Sequence, residues 1–226
     1  MNKDLKIGIG LLVFMFLGTW LCSYLLKGLS VVSIVLCIDA LIILCYFCRN
    51  NDEPVVVTFG DVLKLNLYIV FVFILTTNLL INLPELMNDE STLEYLKEIN
   101  ENKMLYVLLS LFVAPLCEEI IFRRFLFRGI RQHFNFLISS VIISVIFVIS
   151  HGTMSHIVVL LGSLFLCYAM EKYNSVMICG LLHFVYNLCS LLIKPELCHV
   201  SNKEMAFVLY AFGICFVFWT YFKGKK

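Results

Sequence analysis

Charge is what this sequence has least of. Only 15% of its 226 residues are Asp, Glu, Lys or Arg, and 17 basic against 16 acidic residues leave a formal net charge of +1. Such a balance excludes the basic stripe that a nucleic-acid partner requires, and none is expected. Apolar residues make up 61% of the chain and its mean hydropathy is +0.94, whereas soluble domains use about 45–50% apolar residues. An ordinary soluble domain is thereby excluded, and the expected solvent is the lipid bilayer. A signal-peptide cleavage site is also missing. The first apolar run is too long for a signal core and lacks small residues at its end, so it reads as a retained span, with the mature chain expected to begin at or near Met1. No soluble domain, internal repeat or low-complexity linker interrupts residues 1–226, which read as a single membrane-embedded domain.

The ten cysteines do not form the framework of a small secreted protein, because nearly all lie within apolar runs, where a thiol acts as a small hydrophobe. Cys45 and Cys48 form a C-x-x-C without the βαβ context of a redox motif and read as structural. Cys198, in a polar stretch, is the thiol expected to be exposed.

Eight apolar stretches approach the roughly 20 residues that a membrane helix requires: 5–26, 29–48, 62–83, 104–122, 136–151, 155–172, 175–193 and 205–222. The expected fold is therefore an all-α polytopic membrane protein of about eight transmembrane helices. Only Gly152, Thr153 and Met154 separate the fifth and sixth, which implies a tight helical hairpin. With the N-terminus in the cytoplasm, 12 of the 17 Lys and Arg residues fall on the cytoplasmic side, so both termini are expected inside. Pro84 to Lys103 then forms the largest outer loop, with a short surface helix expected at Ser91 to Ile99.

Ionisable side chains within a span cost about 2.5–3.5 kcal/mol each on insertion scales and mark function by default. Here they are Asp39, the Glu118–Glu119 pair with the arginines that follow it, His151, and His183 with Asn187. On a helix Glu119 precedes Arg123 by four residues, the favourable order for an ion pair. Glu118 is rotated by about 100° from Glu119 and is left free to face a cavity. The alternative is that both carboxylates neutralise Arg123 and Arg124 near the interface. Phe147 and His151 share a helix face, as do His183 and Asn187. A lone intramembrane histidine is commonly a hydrogen-bonded packing residue. Several polar sites in one short chain, each needing a buried partner, point instead to one another. A carboxylate and an imidazole can deprotonate a water, while a second histidine and an amide can donate to the oxyanion formed on a peptide carbonyl.

The ordered set Glu118-Glu119-x-x-x-Arg123, Phe147-x-x-x-His151 and His183-x-x-x-Asn187 resembles the three motifs of the CAAX protease and bacteriocin-processing family, which includes the Ras-converting CAAX endopeptidase. The resemblance spans a core of about 104–193. It implies an eight-helix intramembrane glutamic endopeptidase that cleaves a peptide bond with water. Glu118 would be the general base, His151 would help to bind and activate the water, and His183 with Asn187 would form the oxyanion site. Glu119, Arg123 and Phe147 would support them. The implied partner is a membrane-associated peptide or protein, such as a bacteriocin or signal-peptide precursor or a prenylated CAAX protein, and the expected location is a bacterial plasma membrane. No metal or other cofactor is implied.

Drawn from hydropathy, however, Glu118 lies towards the cytoplasmic end of the fourth span and His151 at the opposite end of the fifth. A shared site requires either that the fourth helix run on through Phe125 and Phe127 or that the fifth begin near Gln132 and bend. Three rival readings stay open. Glu118, His151 and His183 are the ligand types of a two-histidine, one-glutamate zinc site, although no H-E-x-x-H is present. Asp39, Glu118 and the histidines are residue types of a proton-coupled transporter, although no inverted repeat is evident. A non-catalytic immunity or signalling scaffold is the third. Asp39 itself is expected to bond to a hydroxyl or backbone group within the bundle.

Overall fold

A computed structural model describes residues 2–25, 31–49, 58–82, 103–151 and 156–193. The eighth expected span, the Ser91–Ile99 helix, the Gly152–Met154 hairpin and Cys198 lie outside these residues. The described residues form seven helices and no strand: α1 (Lys3–Leu25), α2 (Val31–Arg49), α3 (Phe59–Asn82), a long fourth helix, α5 (Phe136–Ser150), α6 (His156–Tyr173) and α7 (Val176–Leu192). The fourth, α4, joins Lys103–Leu108, a π-helical Leu109–Val113, Ala114–Glu119, a second π stretch Ile120–Phe127 and Arg128–Arg131.

Three helical segments, Lys3–Leu25, Val31–Cys48 and Met104–Arg131, are long and apolar enough to cross a membrane, and Phe136–Ser150 and Val176–Leu192 are shorter apolar helices. Their ends follow local chemistry. Asn2 caps α1 by accepting from the Leu5 N–H at 2.8 Å. Thr58 and Asp61 form a capping pair on α3, the hydroxyl donating to Asp61 Oδ2 and accepting from the Asp61 N–H. Asn135 caps α5 and Ser175 caps α7. Asn174, between α6 and α7, takes a left-handed φ of 49°, a conformation that Asn tolerates better than most residues.

α4 is the centre. Its stretch from Cys117 to Phe127 is buried almost all round, including Cys117, Ile120, Ile121, Phe122, Leu126 and Phe127, as a helix enclosed by other helices must be. Around it pack α1, α2, α5, α6 and α7, while α3 packs on α6 and α7. α1 stands outermost and exposes Leu17, Trp20 and Tyr24, an apolar surface suited to lipid.

The structure takes the first of the two routes to a shared site depth. α4 continues helically to Arg131, so Glu118 lies near its middle rather than at its end. Hydropathy ends the span at 122 because two arginines follow. Within the fold, Arg123 is fully buried against Glu119 and Arg124 is 3.7 Å from Asp4 of α1. Neutralised in this way, they do not end the helix.

Close approach fixes α1 on the far half of α4. A Cβ on Gly129 would lie 2.9 Å from the Leu5 backbone nitrogen, and one on Gly8 would lie 2.7 Å from the Leu126 side chain. Asn2 Nδ2 donates to the Gly129 carbonyl at 2.7 Å in the same contact. Gly129→Ala is therefore expected to destabilise the protein by about 1–3 kcal/mol, the cost of overpacking. Gly10→Ala, whose Cβ would meet nothing within 4 Å, should leave unfolding temperature in detergent unchanged or raise it. Equal unfolding temperatures for the Gly129→Ala variant and the parent would contradict this packing.

Candidate functional site

The second acid of the pair is structural. Glu119 and Arg123 are both fully buried, with Glu119 Oε2 3.1 Å from Arg123 Nε. Arg123 Nη2 donates to Ser163 Oγ on α6 at 3.0 Å, and its guanidinium lies 4.4 Å from the centre of the Phe147 ring of α5. The other Glu119 oxygen, Oε1, accepts from His183 Nδ1 of α7 at 2.9 Å. One carboxylate thus joins α4 to α7, and its counter-ion joins α4 to α5 and α6. Removing one member of a buried pair commonly costs about 3–5 kcal/mol, because the other charge is left without a partner.

Glu118 has a different environment. Its Oε2 lies 3.7 Å from His151 Nε2 and 3.9 Å from His183 Nε2, and it is buried with no hydrogen bond from the protein. The tautomers follow from the partners. His151 Nδ1 is 2.8 Å from the Phe147 carbonyl, an acceptor only, so Nδ1 carries the proton. His183 Nδ1 likewise donates to Glu119. Each ring therefore turns Nε2 towards Glu118, an acceptor when the ring is neutral and a donor when it is protonated. The three atoms lie at separations too long for a direct bond and suited to a bridging water. His151 caps the C-terminal end of α5, and its ring centre lies 4.2 Å from that of Phe147, the two planes tilted by 45°. Phe147 also meets the Phe122 ring at 4.8 Å, edge to face. It is thereby the floor for both His151 and Arg123.

Asn187 shares the α7 face with His183 but contacts a different part of α4. Its Nδ2 donates to the Ser110 carbonyl at 2.8 Å, and the sequence explains why that carbonyl is available. In the first π stretch the Ala114 N–H bonds to the Leu109 carbonyl, five residues back. In that register the partner of Ser110 would be residue 115, which is proline and has no N–H. Asn187 supplies the missing donor and keeps one further amide N–H and its carbonyl oxygen. Sequence reading pairs Asn187 with His183 by spacing but gives no signal for Ser110 or Ser163, whose roles depend on contacts across helices.

Asp39 of α2, only 2% exposed, interacts electrostatically with Glu118, and its Oδ1 is buried with no hydrogen bond. Among the described residues, no group of three or more His, Cys, Asp and Glu side chains is arranged to hold a metal ion.

The Pro115–Ser110–Asn187 relation can be tested by rescue. Asn187→Ala leaves a part-buried carbonyl without its side-chain donor and is expected to lower stability by about 1 kcal/mol. Pro115→Ala in that background restores a backbone N–H and should recover part of the loss, measured as unfolding temperature in detergent. If Pro115→Ala gave the same increment with Asn187 present, the two residues would not share that carbonyl.

Comparison with known proteins agrees with the motifs. Residues 100–189 match the family model described as type II CAAX prenyl endopeptidase Rce1-like. An uncharacterized protein of Mycoplasma capricolum subsp. capricolum (strain California kid) is 30% identical over 127 residues, covering 53% of this chain and 38% of that protein. The chain therefore spans little more than a third of the length of this curated relative. No solved structure matches the chain. The matched family is a protease family, and its membrane character agrees with the apolar helices of an integral membrane protein. The matched stretch 100–189, which carries all seven motif residues, is similar to the Rce1-like family, and the similarity is consistent with the CAAX protease and bacteriocin-processing family.

Proposed function

We propose that this protein is an intramembrane glutamic endopeptidase that hydrolyses a peptide bond in a membrane-associated peptide or protein. The observation that carries this reading is the convergence of Glu118 Oε2 with the Nε2 atoms of His151 and His183 at 3.7 and 3.9 Å. A carboxylate oxygen without a protein donor, facing the Nε2 atoms of two imidazoles, is arranged to hold and deprotonate one water. Glu118 takes the proton, and the hydroxide adds to the scissile carbonyl carbon. The remaining Asn187 N–H donates to the resulting oxyanion, and His183 is the second donor in the state that carries a proton on Nε2 as well as on Nδ1. Glu118 then returns its proton to the departing amine as the C–N bond breaks.

The same proposal holds that eight helices cross a bacterial plasma membrane as one domain with both termini in the cytoplasm. It favours small bacteriocin or signal-peptide precursors over prenylated CAAX proteins as substrates. The membrane-exposed apolar faces and the Rce1-like match support a bilayer-embedded substrate.

The test is cleavage of membrane peptides by purified protein in lipid. Glu118→Gln is expected to lower kcat by about 10²–10⁴-fold, the usual worth of a general base, and His183→Ala by about 10²–10³-fold, as for an oxyanion donor. Full activity in folded Glu118→Gln would overturn the mechanism. Exhaustive chelation addresses the zinc alternative, for which the same three side chains are the right donor types. Unchanged activity is expected, whereas loss that stoichiometric zinc restores would replace a metal-free mechanism with a zinc one.

A further inference from the structure

The proposed reaction leaves the arginines after Arg123 unused. Arg124, Arg128 and Arg131 follow one another at helical spacing, four and three residues apart, so one face of α4 carries all three. They line a cavity of about 540 Å³, a size typical of small-molecule sites. Asp4 of α1 and Glu171 of α6 line it as well, so its charged lining is three guanidiniums against two carboxylates. Its apolar lining is Phe127 and Met170, both almost wholly buried.

Contacts around the cavity fix its walls. Arg131 donates to both Glu171 oxygens, from Nε at 3.0 Å and from Nη2 at 2.7 Å, and from Nη1 to the Phe134 carbonyl at 2.8 Å. It is a strut between α4 and α6. Arg124 is held less tightly, with Nη1 3.7 Å from Asp4 Oδ2, beyond hydrogen-bond length. Asp4 is set in place by the packing of Leu5 on Gly129 and by the bond from Asn2 to the Gly129 carbonyl. These pairs neutralise part of the lining, and a guanidinium carries more donors than one carboxylate can use.

Position identifies the ligand. The Lys3–Leu25 span begins and the Met104–Arg131 span ends at this cavity, so it lies where two apolar helices leave the hydrocarbon. Cationic side chains beside an apolar lining at that depth match a phosphate attached to acyl chains, and basic pockets between membrane helices bind anionic headgroups. A soluble anion would gain nothing from the apolar part. Arg128 stands ten residues beyond Glu118, on the order of 15 Å along a helix, which separates the cavity from the proposed catalytic site.

We propose that this cavity holds the phosphate of an anionic phospholipid, with Arg124 and Arg128 as its donors and the Arg131–Glu171 pair as a fixed wall. The bound headgroup ties α1, α4 and α6 together at one end of the bundle, whether or not the chain is a protease.

The test is titration of delipidated, full-length protein in neutral detergent with phosphatidylglycerol, the affinity being taken from the rise of unfolding temperature with lipid concentration. Phosphatidylcholine, diacylglycerol and inorganic phosphate are titrated alongside. A saturable rise with phosphatidylglycerol is expected, with the two uncharged lipids weaker by about tenfold or more and inorganic phosphate without effect at equal concentration. Arg124→Gln and Arg128→Gln should each weaken phosphatidylglycerol binding about tenfold, as loss of a charge-assisted hydrogen bond implies. Lys64→Gln, the same charge change at an exposed position of α3, should stay within about twofold of the parent. Where an arginine variant fails to fold, Gln132→Glu adds a negative charge at an exposed lining position and should weaken binding similarly, with the lipid-free unfolding temperature unchanged. Parental affinity in the folded arginine variants or in Gln132→Glu, or an equal loss in Lys64→Gln, would overturn the site. Equal stabilisation by phosphatidylcholine or diacylglycerol would replace it with acyl-chain binding alone. An effect of inorganic phosphate as large as that of phosphatidylglycerol would assign the cavity to a soluble phosphate and remove the lipid.

Discussion

The buried Glu119–Arg123 pair is the contact on which the rest of the described structure depends. Both side chains are fully enclosed, in surroundings where an unpaired charge would be far more costly than in water. Neutralising each other lets α4 continue through its arginines as a buried helix. Having done so, the pair uses its remaining hydrogen-bonding and ring contacts on three other helices: His183 on α7, Ser163 on α6 and Phe147 on α5. The acid beside it in sequence inherits a framework that is already oriented.

That framework explains how two adjacent glutamates take unlike parts. Glu119 is held between a guanidinium and an imidazole. Glu118, turned about 100° further round the helix, has an oxygen that is buried and undonated. The histidines are themselves oriented from behind: the Phe147 carbonyl holds His151, and the Glu119 carboxylate holds His183. In each case the bond at Nδ1 determines which nitrogen faces Glu118, the usual way a protein selects a histidine tautomer. Phe147 contributes its carbonyl to one histidine and its ring to the arginine, and so touches both halves of the site.

The π stretches on either side of Ala114–Glu119 show how a membrane helix accommodates a proline without losing its hydrogen bonding. Pro115 takes away a donor, the wider turn leaves the Ser110 carbonyl available, and an amide from α7 replaces the lost N–H. In a bilayer, where no water fills such gaps, this substitution is required of the neighbouring helix. One consequence is that Asn187 is tied to the backbone of the helix that carries Glu118 as well as being a neighbour of His183.

The membrane class, the positions of seven helices and the membership of the polar set were legible in the sequence, because each follows from local properties: hydropathy over about 20 residues, four-residue spacing on a helix face, and the cost of an ionisable group in an apolar run. The separation of Glu119 from Glu118 by their rotation was legible for the same reason. The end of α4 was not, since hydropathy counts an arginine as exposed charge whether or not another part of the chain neutralises it. Nor were the Ser163 contact of Arg123 or the replacement of the Pro115 donor by Asn187, each of which joins residues far apart in the chain. Tertiary structure decided these because burial and hydrogen-bond satisfaction belong to the packed bundle and are not properties of any single helix.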